Sequence, residues 1–458
     1  MTTDMFSTFM SGLGSRTELR AQSNLTRSII LSSGNIVTNQ RSDESGVFAR
    51  VWENGVFGAC SAPGFEKKSI ETALKTAQKN VKILSANKKD FHPLPQTPQG
   101  NMEAKTSFID PEQKELLDYA RALDELIASR YKNLVNRNIR IAVENTETLL
   151  NVTDGYNVHR VLPRAHVFIR FTVMDNNGLP VELLAKHGGG GNSSDYFGDP
   201  RDLDEKLENL YMHLINKREG VFAEAGVADI VMSANLAGIL AHEAVGHTTE
   251  SDLVRSGSVA GPNLNKRVAT EKVTLVDFAH TAFGKEAPMP IYVDDEGTLA
   301  EDVTIIKDGI LLDYMTNLQD APYINAKPKG NGRAFSYSDE PLVRMRNTCI
   351  MPGNDSFEDM IASVDNGYYL SEYGNGQADS TSEFMFGINM GYEIKNGKLG
   401  RAIRDTTISG VAFDMLKTID MVGKEVIWAA SGYCGKKQLL GNAMGGPDIK
   451  CRLQIGGR

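Results

Sequence analysis

The sequence predicts an α+β protein: a mixed α/β N-terminal half, then a β-rich C-terminal domain carrying one helix of chemical interest. Three observations lead there. Short alternating apolar runs in the first half are separated by turn pairs and interleaved with amphipathic helices. From about residue 221 the texture shifts to strands, turns and a late abundance of glycine. A single helix of small residues, 234–247, interrupts that second part. The expected division is 1–220 and 221–458, with a linker near 86–105.

The elements follow in order. Residues 29–31 and 36–37 flank Gly34-Asn35, and residues 47–52 and 56–60 flank Asn54-Gly55, a strong hairpin signal. Ile70, Leu74, Ala77, Val81 and Leu84 recur at spacings of three and four, so they share one helix face. Residues 86–105 are rich in Pro, Lys, Asn and Gln, as linkers are. Asp110-Pro111-Glu112-Gln113 predicts a helix start, with Asp110 as cap and Pro111 at the first position. Leu116, Ala120, Leu123 and Ile127 give that helix its apolar face. Ile139, Ile141 and Val143 alternate as a strand, as do Val167, Ile169, Phe171 and Val173. Leu203, Leu207, Leu210 and Leu214 mark another helix. Residues 229–232 read as a strand, Ser233 as an N-cap, and Asp308-Gly309 and Asn396-Gly397 as hairpin turns.

The 458 residues are 41% hydrophobic and 23% charged, ordinary for a soluble globular protein. A net charge of −9 disfavours nucleic acid as a partner. Four scattered cysteines make no disulfide framework and point to a reducing compartment. The first thirty residues carry Asp4, Arg16, Glu18, Arg20 and Arg27, without the apolar run of a secretory leader. No stretch reaches the roughly 18 apolar residues that cross a bilayer. A cytoplasmic protein is expected, with no membrane partner.

The chemistry concentrates in Ala241-His242-Glu243-Ala244-Val245-Gly246-His247. Two imidazoles beside a carboxylate are what a zinc hydrolase needs: neutral ligands, and a base for water. The usual motif spaces its histidines four apart on one helix face. Here they stand five apart. In a regular α-helix that turns the second about 140° from the first. Both reach one metal only if the helix is distorted, by a π-bulge or by an end at Gly246. An irregular helix end is therefore predicted.

A third ligand is needed. Cys60, Cys349 and Cys451 lie in alternating patterns and read as small core residues. Cys434 sits in Ser431-Gly432-Tyr433-Cys434-Gly435-Lys436, where a glycine-flanked loop would let a thiolate approach a metal. Glu250, three residues after His247, is an alternative oxygen ligand or a carboxylate behind the ligands. Arg333 and His187 are candidate oxyanion donors. His187-Gly188-Gly189-Gly190-Gly191-Asn192 lacks the Gly-Lys-Ser/Thr ending of a phosphate loop and reads as a flexible turn or a substrate-side loop. Asp294-Asp295-Glu296 lacks EF-hand spacing and reads as a solvated strand end.

Taken together, the sequence resembles the TldD/PmbA (TldD/TldE) family, in its active TldD-type form. The carriers are His242-Glu243-Ala244-Val245-Gly246-His247 with Glu250 and Asp252, and Asp294-Asp295-Glu296-Gly297-Thr298 with the Asp308-Gly309 hairpin. Arg344-Met345-Arg346-Asn347-Thr348, Met351-Pro352-Gly353, Tyr433-Cys434-Gly435-Lys436 and Gly456-Gly457 complete them. The resemblance covers nearly the whole chain and is most specific over 225–458. It implies a zinc metalloprotease with His242, His247 and Cys434 as ligands and Glu243 as general base. It also implies unfolded peptides as substrates and a TldE-like sister subunit, or a homodimer, as partner. Thr248-Thr249 depart from the glycine and apolar residue expected after the second histidine, and the segment after Cys434 is short.

The strand-rich second half suggests that a peptide is held as an added strand on a sheet edge. Three other classes compete: a non-catalytic peptide- or partner-binding subunit, a structural zinc site, and a regulator of DNA topology. The intact His-Glu-His set opposes the first. The lack of paired short Cys/His spacings opposes the second. The acidic balance opposes the third.

Overall fold

The computed structural model describes residues 4–13, 15–89, 91–378 and 381–456. After a short helix α1 (Asp4–Met10), strands β1 (Thr17–Ser32), β2 (Asn35–Glu53) and β3 (Val56–Pro63) form a meander. Its second turn has Asn54 and Gly55 at positive φ, 45° and 83°, as a primed hairpin turn requires. The first turn centres on Ser33-Gly34, one residue earlier than expected. Helix α2 (Lys67–Ser85) packs Ile70, Leu74, Ala77 and Val81 on this meander, while Leu84 points to solvent. The expected linker ends in strand β4 (Gly100–Lys105). Helix α3 (Gln113–Arg130) starts later than predicted, on a capping box between Glu112 and Glu115. Asp110 does not cap because its carboxylate accepts from Arg27 Nε and Nη2, at 3.0 and 2.7 Å.

Strands β5 (Asn136–Val152), β6 (Tyr156–Met174) and β7 (Pro180–Gly190) complete a seven-stranded sheet of order β3-β2-β1-β5-β6-β4, with β7 also on β6. Helix α4 (Asp204–Arg218) and α3 cover one face, where Leu116, Leu123, Ile141, Val167, Leu207 and Leu214 share a core. The strand period of two turns the alternate residues to the other face. That face packs on the C-terminal half through a small apolar cluster, in which Leu150, Val152 and Val158 meet Val293, and through buried arginines. Arg20 donates to the Ser336 and Asp339 carbonyls, Arg160 to Asp295, and Arg164 to the Ala430 carbonyl.

The C-terminal half runs through β8 (Gly226–Met232), α5 (Ala234–Leu240), β9 (Leu275–Phe278), β10 (Thr281–Ala282), β11 (Lys285–Glu286), β12 (Val303–Lys307) and β13 (Ile310–Leu311). It continues with β14 (Gly332–Arg333), β15 (Leu342–Val343), β16 (Asn347–Ile350), β17 (Asn366–Ala378), β18 (Glu383–Lys395), β19 (Lys398–Ile403) and β20 (Thr406–Val411). Last come β21 (Met421–Val422), β22 (Ile427–Lys436), β23 (Gln438–Gly446) and β24 (Ile449–Gly456). Gly457 of the terminal glycine pair lies outside the described residues. One sheet has the order β17-β8-β24-β20-β18-β19, and an extra β17–β18 pairing closes five of its strands into a ring. The other has the order β13-β12-β9-β16-β23-β22, so β22 is an edge strand. Helix α5 lies in the core these sheets share. A Cβ on Gly238 would stand 3.2 Å from the backbone of Gly445 and Met444, so glycine lets the helix rest directly on β23. None of the described helices is long and apolar enough to span a membrane.

Candidate metal centre

Ser233 caps α5 through its hydroxyl, which accepts from Leu236 N, and Asp448 accepts from Ala234 N. After Leu240 the helix widens into one π-turn, Ala241–Gly246. The His247 backbone N–H donates to the His242 carbonyl, five residues back. That wider turn brings residues five apart onto one side. The two imidazole centroids stand 5.1 Å apart at 80°. The predicted distortion is present, but Gly246 serves it differently than expected. Its φ of −54° is ordinary helix, and what glycine supplies is space, because a Cβ there would collide with Met345 Sδ. Thr248 and Thr249 are fully buried. Their hydroxyls donate back to the Val245 and Gly246 carbonyls.

Cys434 completes the group. Its Sγ lies 3.1 Å from His247 Nε2, and ligand atoms of His242, His247 and Cys434 all fall within 4.8 Å of one another. The residue sits on β22, an edge strand rather than the expected loop. Glu243 Oε2 is 3.6 Å from His247 Nε2, beside the same point. Glu250 lies behind: its Oε2 is 2.9 Å from His247 Nδ1, on the side of the ring away from Cys434. Lys436 Nζ bonds Glu250 at 3.0 Å, Asp252 at 2.7 Å and the Val343 carbonyl at 3.0 Å. Arg344 donates to the carbonyls of Cys434 and Gln438 and so ties down the β22–β23 hairpin.

The electrostatics suit a cation. Burial drives the His242 pKa well below the imidazole range, with His247 and Arg344 adding to it; the neutral ring is the form that ligates. Burial also opposes charge on His247, but Glu250 and Cys434 outweigh it and raise its pKa. The Glu250 carboxylate behind the His247 ring and the Cys434 sulfur before it face opposite nitrogens of that ring. Burial raises the carboxyl of Glu243, as a proton-accepting group near neutrality needs. Burial pushes Glu250 the same way, yet His247 and Lys436 prevail and hold it low. Two nitrogens and a sulfur at one point are a donor set that zinc accepts, leaving a fourth position open.

Other candidates fall elsewhere. Cys349 and Cys451 are buried among apolar side chains and Cys60 is half-buried in β3, as expected. Arg333 is neither on the surface nor salt-bridged: it is buried, and its guanidinium donates to the Met345 and Gly441 carbonyls. His187 lines a cavity of about 620 Å³ with Lys186, Lys206, Glu372 and Tyr373, and no candidate ligand lines that cavity. His187–Gly190 are strand residues of β7 paired with β6, not a flexible turn. Asp294, Asp295 and Glu296 are not solvated. They are buried because each has fixed partners: Asp294 accepts from three backbone N–H groups, Asp295 pairs with Arg160 and Glu296 with Arg50. Sequence reasoning passed over Asn442, whose amide nitrogen lies 3.2 Å from His242 Nε2. It also passed over the anchoring roles of Lys436 and Arg344. Both residues stand in quoted motifs, Arg344 at the start of Arg344-Met345-Arg346-Asn347-Thr348 and Lys436 two residues beyond Cys434, but neither motif shows what its side chain holds.

Residues 225–457 match the PmbA/TldA metallopeptidase C-terminal domain, and residues 17–81 match PmbA/TldA metallopeptidase domain 1. The chain belongs to the PmbA/TldD metallopeptidase family. Curated relatives from that family include a zinc metalloprotease TldD homolog of Saccharolobus solfataricus, 34% identical over 57% of this chain and 59% of the relative. A metalloprotease TldD homolog of Buchnera aphidicola is 29% identical over 96% of this chain and 92% of its own. A metalloprotease of Methanocaldococcus jannaschii is 28% identical over 93% of each chain. Among solved structures, TldE from Thermococcus kodakarensis superposes with a TM-score of 0.76 over 99% of both chains at 17% identity. A Thermotoga maritima protein named for modulation of DNA gyrase reaches 0.80 at 19% identity, covering 99% of this chain and 98% of its own. At such identities these structures speak for the fold alone.

Proposed function

We propose that this chain is a zinc-dependent peptidase acting on unfolded or small peptides, in the cytoplasm, with a TldE-like sister subunit or a second copy as partner. The observation that carries the reading is the convergence of His242, His247 and Cys434 within 4.8 Å beside the Glu243 carboxylate. The names of the Saccharolobus and Buchnera relatives point the same way. His242, His247 and Cys434 would hold the ion. Bound there, zinc supplies Lewis acidity that acidifies water and polarises a carbonyl. Glu243 takes a proton from the attacking water and delivers it to the leaving amine as the C–N bond breaks. Glu250, held by Lys436, keeps the His247 ring in place through Nδ1.

Substrate binding is read from β22. The strand that carries Cys434 ends its sheet, so an extended peptide can pair along its outer side with little sequence preference. Residues 428–431 of that strand also line the 620 Å³ cavity, which gives side chains room beside the added strand. The Ala430 carbonyl is already taken by Arg164, so pairing uses the remaining groups.

Elemental analysis of the purified chain beside His242→Ala and Cys434→Ala tests the centre. About one zinc per chain, lost in both variants, is expected for a three-ligand site. Glu243→Gln should keep zinc and lose peptide cleavage. A wild type that neither contains nor takes up metal would sink the reading.

A further inference from the structure

Where the two halves of the protein meet, the N-terminal sheet and the β22–β23 hairpin enclose a cavity of about 70 Å³, several times the space that admits a water molecule. Three guanidinium groups line it, from Arg160 and Arg164 of β6 and Arg333 of β14, against two carboxylates, Glu144 and Asp295. Both carboxylates are already engaged. Asp295 pairs with Arg160 at 2.6 Å and accepts from Ala334 N, and Glu144 accepts from the Tyr433 hydroxyl. Arg333 is buried with no carboxylate in ion-pair contact among the described residues, and so are Arg344 beside it and Arg20, which shares the field of Asp295. All three donate to backbone carbonyls. Carbonyl dipoles share the hydrogen bonds but carry no net charge, and an uncompensated buried charge is costly. Burial, with Arg344 and Arg160 adding to it, holds the Arg333 pKa down to about 9. One donor also lacks a partner: Arg160 is 5% exposed, and its Nε is buried with no acceptor among the described residues. Water could fill the room and accept that hydrogen bond, but it would leave the charge uncompensated.

We propose that this cavity binds a small monoanion, a halide or a carboxylate, which compensates Arg160, Arg164 and Arg333 and ties the N-terminal sheet to the hairpin that carries Cys434. The site is separate from the metal centre. Consecutive residues of a strand face opposite ways, so Cys434 turns to the histidines and Tyr433 to the cavity. Phe335 and Tyr433 of the lining are partly exposed, so the ion exchanges with solvent.

The test is the thermal unfolding midpoint of the full chain, with chloride or acetate replacing gluconate at constant ionic strength. Gluconate is too large for the cavity; chloride probes a free halide and acetate a carboxylate. A saturable rise on the order of 2 °C is expected once the anion exceeds its Kd about tenfold, and the anion that saturates at the lower concentration is the occupant. A tethered charge supplies the second arm. Thr146 lines the cavity and pairs with Leu162, between Arg160 and Arg164 on β6, so a carboxylate placed there reaches both guanidiniums. In gluconate, Thr146→Glu should be more stable than its neutral twin Thr146→Gln, and it should have lost the anion response. No rise in the wild type with either anion overturns the proposal, whether or not the variants accumulate. A response in Thr146→Glu equal to that of the wild type also overturns it, since an anion on zinc itself would behave that way. Thr146→Glu less stable than Thr146→Gln in gluconate overturns it as well, because the cavity would then reject negative charge.

Discussion

Cys434 Sγ lies 3.1 Å from His247 Nε2, although 187 residues separate the two in the chain. The contact joins the residue that follows the π-turn to the edge strand β22. Neither element makes the centre alone. The π-turn aligns the two imidazoles, and the hairpin brings sulfur to them. Arg344 holds that hairpin by its carbonyls, so the position of Cys434 is set by backbone rather than by the reach of its short side chain.

Lys436 should be felt both in stability and in zinc retention. It is the cation that compensates buried Glu250. Lys436→Met leaves that carboxylate facing His247 without its counter-charge. Removing one partner of a buried pair costs roughly 3–5 kcal/mol. Urea unfolding should show a loss of that order, and the variant should release zinc to a weaker chelator. Lys436→Met with unchanged unfolding and unchanged zinc affinity would mean that Glu250 needs no counter-charge.

Gly246→Ala should destabilise by about 1–3 kcal/mol, the usual cost of overpacking. The backbone there is ordinary helix, so the cost is steric and comes from Met345 Sδ. Introducing Met345→Ala into the same chain should recover most of it. A double-mutant cycle measures this directly. Additive effects of the two substitutions would show that the close approach does not set the choice of glycine.

The elements most legible in the sequence were those governed by local rules. Asn54-Gly55, Asp308-Gly309 and Asn396-Gly397 signal their turns because two consecutive positive φ angles exclude most residues. The five-residue histidine spacing pointed to the distorted turn because helical geometry admits few alternatives. The family resemblance, more than any local pattern, singled out Cys434. What stayed hidden depends on tertiary partners. Three consecutive acids at 294–296 look like a wet turn until Arg160, Arg50 and three backbone N–H groups close around them. Asp110 looks like a helix cap until Arg27 takes it. Asn442 carries no periodicity or motif, since its neighbour His242 lies 200 residues away.

Arg50 links the two halves of the protein. It pairs with Glu18 of β1 at 2.7 Å and with Glu296 at 2.9 Å, and all three side chains are buried. Arg50→Met leaves Glu296 without a cation and Glu18 with Arg16 alone, 3.1 Å away, and should lower stability by about 3–5 kcal/mol in chemical denaturation. Adding Glu296→Gln removes the stranded charge, so the double variant should be more stable than Arg50→Met alone. Equal stability of the two would show that Glu296 needs no counter-charge.

Glu372 should make stability depend on pH between the ordinary carboxyl range and neutrality. Burial raises its pKa from 4.5 to about 7, with Lys186 and Lys206 only partly opposing. A carboxyl held higher in the folded chain than in the unfolded one binds its proton more tightly when folded. Stability is then greatest below about pH 4.5 as far as this group is concerned, and it declines as pH rises towards 7. Glutamine cannot ionise, so Glu372→Gln should flatten that decline. Urea midpoints for both proteins across this interval are the measurement. Parallel curves would show that Glu372 ionises freely in the folded state, through water or a lysine that swings into the cavity. A flatter curve for Glu372→Gln would show that the fold holds this carboxyl protonated near neutral pH.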